Sequence, residues 1–442
     1  MERAMSKPAS EAPWAAMIGL SRFRGVKIYG VLDVIFVAHM YLLALILAFA
    51  YVLLGTRQLF LISALGIDMI FIVICFWRNM KAAVIAASVI AYLLFSIFIF
   101  YFKIDVPASY AQVGSYVIMY SIGIYGVMAA QRPLSHILKL MFIASCLYAI
   151  TFLYLRQSIN VDAILHAKTT GQSDAVTGYM FTHEASTGGD IGFRIYVSDM
   201  NLAIGTFYAL SQWKRTWRWY WAAAAIFFIY CSYISDFRFA TATVFLLSVG
   251  LFAPVSHKMQ IRVATVVMAG TMLLTLGSAL LSFNYYDFVR HDVTGMIRAY
   301  EADVAITGFR DNPFLGFGLA GNAEDMYLVV GNFGFAPSDI GYLGMLCRFG
   351  LIGYVLLFCC NMIMLRFAET VCAKKAISEA TKNCLVALTS YVILTQALST
   401  YVLDGGGGLL FALAIAYWGQ YGFGLRSSPS RRRLAGARSW AR

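Results

Sequence analysis

The sequence is short of charge. Only 13% of its 442 residues are Asp, Glu, Lys or Arg, against 60% hydrophobic, and its mean hydropathy is +0.72. That is too little polar surface to cover a soluble globular domain. A basic, aromatic-studded domain is also missing. The net charge of +12 comes from short clusters between apolar runs, which argues against a nucleic-acid surface and reads as a topology signal. All eight cysteines lie in apolar runs or in short basic connections, so no external disulfide framework is expected. No repeat of about 20–50 residues recurs. The glycine-rich stretch NPFLGFGLAG has no lysine and no preceding strand, so it does not make a nucleotide loop.

What the sequence does contain is apolar runs. The first, Tyr29 to Leu54, is too long for a signal-peptide core of about 7–15 residues. Apolar residues continue past the cleavage-like Ala48-Phe49-Ala50, so the run reads as a retained span. Eleven more follow at 58–77, 82–102, 110–130, 134–155, 195–213, 219–236, 239–256, 262–283, 339–365, 384–403 and 407–424. Each is near the about 20 residues that cross a hydrocarbon core of about 30 Å. The expectation is an all-α, polytopic helical membrane protein of about 12 transmembrane helices. Residues 1–28 form an N-terminal segment in which Trp14 and the basic residues after it suit a short interfacial helix, 29–424 form the membrane domain, and 425–442 form a basic tail.

Basic residues set the orientation. Arg78 with Lys81, Arg132, the Lys214 to Arg218 cluster, Lys258 with Arg262, the Arg366 to Lys382 cluster and the tail all fall on one side, together with the basic N-terminus. Of the 34 Lys and Arg, 24 are inside by this reading, nine outside, and Arg348 lies within a span. The positive-inside rule makes the rich side cytoplasmic, with both termini there. Two long loops, 157–194 and 284–338, then face the periplasm. A connector between two spans needs only a handful of residues, so a loop of more than fifty points to a binding or catalytic segment.

The outward face carries five arginines, Arg194, Arg238, Arg290, Arg298 and Arg310, on the side where positive charge is normally avoided. Guanidinium groups bind phosphate oxygens bidentately and stay charged at any working pH, so the set suits a lipid-linked diphosphate. Each arginine alone is equally well explained by pairing with a neighbouring acid such as Asp236, Asp287, Asp292, Asp303 or Asp311. Asp339 opens the tenth span, about 16 Å of helix before Gly350, which would place its carboxylate at the outer surface. Gly350 and Gly353 read as close-packing positions. Arg348 lies deep enough that it needs either a partner such as Asp68 or a substrate.

Taken together, these stretches resemble the O-antigen ligase and polysaccharide polymerase superfamily of bacterial inner-membrane glycosyltransferases. The resemblance is best over 194–353. RIYVSDMNLAIG resembles the family segment with an arginine and an asparagine at a span start, which puts Arg194 and Asn201 forward. SDFRFATATVFLLSVGL resembles its serine-arginine motif and puts Arg238 forward. RHDVTGMIRAYEADVAITGFRDNPFLGFGLA resembles the arginine segment ahead of a proline-glycine motif, putting Arg290 and Arg298 forward. Where the ligases carry a histidine ahead of a G-x-x-G pair, this chain has Asp339 and Ile340 ahead of Gly350 and Gly353, a departure that favours a polymerase over a ligase. The resemblance implies metal-independent transfer from a polyprenyl-diphosphate-linked glycan with no cofactor. It makes Asp339, Arg298 and Arg290 catalytic and Arg238, Arg194, Asn201 and Arg310 substrate-binding, with other polysaccharide assembly proteins as partners. Asp339 is either the general base or an anchor for a loop arginine such as Arg298.

Two other classes fit parts of the pattern. A lipid-linked glycan flippase needs outward arginines too, but should line a cavity with many deep charges, and only Asp33, His39, Asp68, Lys139 and Arg348 come close. A membrane O-acyltransferase needs an intramembrane histidine with a partner. Of the two histidines in spans, His39 shows no evident one and His136 is near a span end.

Overall fold

The computed structural model describes residues 28–49, 80–104, 122–158, 181–185, 191–195, 199–235, 238–289, 293–318, 340–397 and 407–417. Among them are twelve α-helices: α1 Ile28–Phe49, α2 Met80–Ile104, α3 Ile122–Gln131, α4 Leu134–Ser158, α5 Asp199–Thr216, α6 Trp219–Ile234, α7 Arg238–Phe252, α8 His257–Leu281, α9 Val293–Asp311, α10 Gly341–Cys372, α11 Glu379–Thr395 and α12 Gly407–Ala416. A 3-10 turn, Tyr285–Val289, precedes α9. A two-stranded antiparallel hairpin, β1 Phe181–Ala185 with β2 Ile191–Ile195, precedes α5.

Most of these helices sit where apolar runs predict them, and local chemistry sets several of their ends. Ser256 precedes α8 and its hydroxyl accepts from the Met259 amide at 3.3 Å, while Ser378 does the same for Thr381 ahead of α11. Each side chain satisfies one of the amides that a helix start leaves without a partner. Ser282, left-handed at φ 56, ends α8. Three helical stretches, Leu134–Tyr154, His257–Leu281 and Gly341–Cys372, are long and apolar enough to cross a membrane.

The core is built around α5 and α11. Every residue of α5 from Asp199 to Ser211 is buried, and so is nearly every residue of α11. α5 packs against α4, α6, α7 and α11, and α10 packs against α8, α9, α11 and α12. Gly205 lets α5 press onto α6, since a methyl group there would lie 2.3 Å from the Phe228 ring. Outward, α7 and α8 present bare aliphatic and aromatic side chains, with Phe245, Val266 and Leu273 more than 60% exposed. This surface is what a lipid solvent would tolerate and water would not.

Polar contacts gather at the helix ends. Asp33 near the start of α1 takes both Arg132 (3.1 Å) and His136 (2.9 Å), and the Tyr417 hydroxyl after α12 donates to the Arg132 carbonyl at 2.9 Å. His257 at the start of α8 meets Asn383 of α11 at 2.8 Å, and Lys214 at the end of α5 donates to the Leu251 carbonyl of α7. At the other end of α8, Arg310 donates to the carbonyls of Ala279 and Leu280, each at 3.3 Å.

Three expectations change here. The segment 284–338, read as a long polar loop, contains the nineteen-residue helix α9. The loop 157–194 contains the hairpin, in which Arg194 pairs with Thr182. The tenth span is broken: Gly350, at φ 60 and ψ −165, interrupts α10. The second expected span, 58–77, lies outside the described residues.

Candidate functional site

The break in α10 organises this region. In a straight helix Tyr342 and Tyr354 would be about 18 Å apart along the axis, yet their ring centroids are 6.3 Å apart. The half-helix before Gly350 therefore folds back toward the half after it. That fold-back overturns the expectation of a continuous helix running from Asp339 inward.

A break in an apolar bundle frees backbone groups that must find partners, and NPFLGFG supplies nearly all of them. The Phe317 amide donates to the Cys347 carbonyl at 3.0 Å and the Gly318 amide to Arg348 at 2.7 Å. The Tyr92 hydroxyl of α2 donates to the Phe349 carbonyl at 2.9 Å. Beyond the break, the Leu351 and Ile352 amides donate to the Pro313 and Phe314 carbonyls at 2.8 and 3.2 Å. Gly316 and Gly350 make this approach feasible. A Cβ on Gly316 would lie 2.4 Å from the Arg348 carbonyl oxygen, one on Gly350 2.4 Å from the Phe314 carbonyl, and both residues have positive φ. The two glycine motifs, separate in the sequence, are two sides of one clasp. The segment Pro313 to Gly318 is thus held in place by backbone bonds.

α9 lies against this clasp through small residues. Ala299, Ala302 and Ala305 are fully buried, and at Gly308 an added methyl would meet the Phe317 ring at 2.4 Å and the Cys347 sulfur at 3.1 Å. Its middle is tied down by Asn284, whose amide donates to the Ala299 carbonyl (2.6 Å) and to Asp303 (2.8 Å) while its oxygen accepts from the Tyr286 amide (2.9 Å). Half-buried Arg298 and the buried Glu301 both lie near the Tyr286 phenol. Burial, and next the neighbouring Tyr285, push that phenol well above its ordinary value, so it remains a neutral donor beside the guanidinium.

A file of polar side chains runs inward from there. Tyr285 packs on Tyr286 with the rings tilted and their centroids 4.6 Å apart, and lies beside Thr275 of α8; Thr275 is also beside the Tyr354 hydroxyl, which donates to the Met272 carbonyl at 2.9 Å. Beyond it Tyr342 and Asn361 both reach the Gln396 side-chain oxygen, at 3.4 and 2.7 Å. None of these residues was singled out from sequence. The available signal was Asn361 and Gln396, two amides inside otherwise apolar runs.

Of the seven expected site residues, the side chains of Arg298, Arg310 and Asn201 are described. Arg298 and Arg310 share α9 but stand about 18 Å apart along it, and Arg310 is engaged in capping α8. Asn201 is buried near the start of α5. At Arg194 in β2 and Arg238 at the start of α7 the backbone alone is described, and Asp339 and Arg290 lie outside the described residues. Ile340, the residue after Asp339, is fully buried, and Gly341 is packed so that a methyl would lie 2.3 Å from the Ala397 carbonyl oxygen. No three His, Cys, Asp or Glu residues among the described ones are grouped to hold a metal ion.

The fold and site together define a helical protein with apolar helices of membrane-crossing length, one of which is broken and clasped by a proline-glycine segment. The sequence matches no known family model and no curated protein.

Proposed function

We propose that the protein is a metal-independent glycosyltransferase of the bacterial inner membrane, an O-antigen or exopolysaccharide polymerase with both termini in the cytoplasm. It takes a glycan from a polyprenyl-diphosphate carrier and joins it to a sugar hydroxyl at the periplasmic face. The observation that carries this reading is Arg298 on a helix clasped to a broken α10 whose first turn directly follows Asp339. Broken helices in apolar bundles usually serve a site, because their exposed backbone is otherwise costly.

In this mechanism the acceptor hydroxyl attacks the anomeric carbon, its proton passes to Asp339, and the bond to the diphosphate oxygen breaks with the electron pair leaving on that oxygen. Arg298 and Arg290, joined by Arg238 and Arg194, stabilise the charge developing on the departing diphosphate. Arg310, which caps α8 about 18 Å along α9 from Arg298, and the buried Asn201 take no direct part in this mechanism.

The test uses the full chain in proteoliposomes with a lipid-linked repeat unit as donor. Wild type should elongate the glycan and release polyprenyl diphosphate. Arg298→Lys should lower elongation by about tenfold or more, since a point charge replaces a bidentate fork. Asp339→Asn should leave folded protein and unconsumed donor. Polymer of normal length and amount from the asparagine variant would remove Asp339 from the mechanism. Transfer of preformed polymer to a lipid core without elongation would mark a ligase, and translocation of donor without bond formation a flippase.

A further inference from the structure

We infer that a groove between α8 and α10, at the end of α8 opposite the candidate site, binds the headgroup of an anionic phospholipid. The groove has a volume of about 440 Å³. On α8, Lys258, Arg262 and Val266 line it at helical spacing, and on α10 Met362, Arg366 and Glu369 face them. Glu369 accepts from Arg366 at 2.8 Å, which fixes that guanidinium and cancels one charge. Among the described residues neither Lys258 nor Arg262 has a carboxylate partner. Three cations against one acid leave a net charge of +2 in the groove.

The apolar part of the wall decides between a lipid and a free anion. Val266 is 71% exposed and continues onto the bare aliphatic face of α8, where Val263 and Leu273 are also exposed. A phosphodiester held by Arg262 and Arg366 would lay its acyl chains along this face, whereas a free phosphate gains nothing from it. Lys258 and Ala279, the carbonyl capped by Arg310, are about 31 Å apart along α8, so the groove does not belong to the glycan site. The inference does not rest on the polymerase reading and requires only that α8 and α10 lie in a bilayer.

The full chain in neutral detergent would be titrated with phosphatidylglycerol, with phosphatidylcholine and with inorganic phosphate, reading retained lipid by native mass spectrometry and the melting temperature alongside. Phosphatidylglycerol should be retained and raise the melting temperature. Phosphatidylcholine and phosphate should do neither. Arg262→Gln combined with Arg366→Gln should weaken retention about 25-fold, taking ~1 kcal/mol per basic residue converted at ~1.4 kcal/mol per decade. Lys258→Gln, in the exposed first turn, should weaken it about fivefold and covers the case in which the double variant does not fold. Lys375→Gln, away from the groove, should leave retention unchanged. Equal retention of the zwitterionic lipid, an equal effect of free phosphate, an unaltered Lys258→Gln variant, or an equal loss in Lys375→Gln would each overturn the assignment.

Discussion

At the scale of single residues, Gly350 and Arg310 carry the sharpest consequences. Gly350→Ala must place a methyl group 2.4 Å from the Phe314 carbonyl in a backbone with φ 60. That backbone, at φ 60 and ψ −165, is open essentially to glycine alone and costs about 1–3 kcal/mol for an L side chain, and the clash adds to it. Gly270, in the middle of α8 with nothing within 4 Å, provides the contrast, because alanine there should be neutral or stabilising by up to about 1 kcal/mol. Gly350→Ala should melt below wild type and Gly270→Ala no lower than wild type, and a Gly350→Ala protein as stable as wild type would contradict the clasp. Arg310 offers a second separation of roles. Since it caps α8 through two carbonyls, Arg310→Gln should lower stability by about 0.5–1.5 kcal/mol. Wild-type stability combined with lost glycan transfer would instead place Arg310 at substrate.

At the scale of elements, the clasp couples segments distant in sequence. Gly316 and Gly350 make two halves of the same contact, so alanine at both should cost clearly less than the sum of the single changes, as expected where one disruption already opens the interface. A double-mutant cycle on melting free energies measures this, and additivity would mean that the two glycines act independently. The junction of α10 and α11 gives a smaller effect. A hydrogen bond from Lys382 at 2.7 Å, and then the charges of Lys382, His257 and Lys214, hold Glu379 below the ordinary carboxylate range. A carboxylate with a depressed folded value contributes stability above its unfolded pKa and loses it as pH falls through the folded one. Because Glu379 is two-thirds exposed, screening limits this to about 0.3–0.5 kcal/mol. Glu379→Gln should therefore be slightly less stable than wild type at pH 7 and indistinguishable from it near pH 3, as read by parallel melts.

At the scale of the whole molecule, several polar contacts lie at helix ends beside the basic clusters. Asp33, Arg132 and Tyr417 meet one another, and Lys214, Leu251, His257 and Asn383 are joined at the ends of their helices. All of these flank connections that the positive-inside rule assigns to the cytoplasm. Reporters fused after Thr170 and after Glu324 should therefore behave as periplasmic. A cytoplasmic reading at either would move the arginines to the wrong face for a lipid-linked glycan.

How much was legible in the sequence follows from the range of the interactions involved. Helix class and the approximate positions of most helices were written in apolar runs, because helical backbone satisfies itself locally and an apolar run of about 20 residues suits such a helix. The expected side preference likewise rests on local composition, the Lys and Arg counts of the connections. Glycines 316, 318, 350 and 353 were visible as motifs, but their meaning was not. A positive φ at Gly350 is stabilised only because Pro313 to Gly318, more than thirty residues earlier, supply hydrogen-bond partners for the broken helix. Likewise α9 has the charged, mixed composition of a loop, and it becomes a helix with one buried face only through Asn284 and the alanines set against α10. The fold-back of α10, the capping role of Arg310 and the inward file from Tyr286 to Asn361 depend on contacts between residues far apart in the chain. Local sequence determined where helices form, and tertiary packing decided which of them break and what the break holds in place.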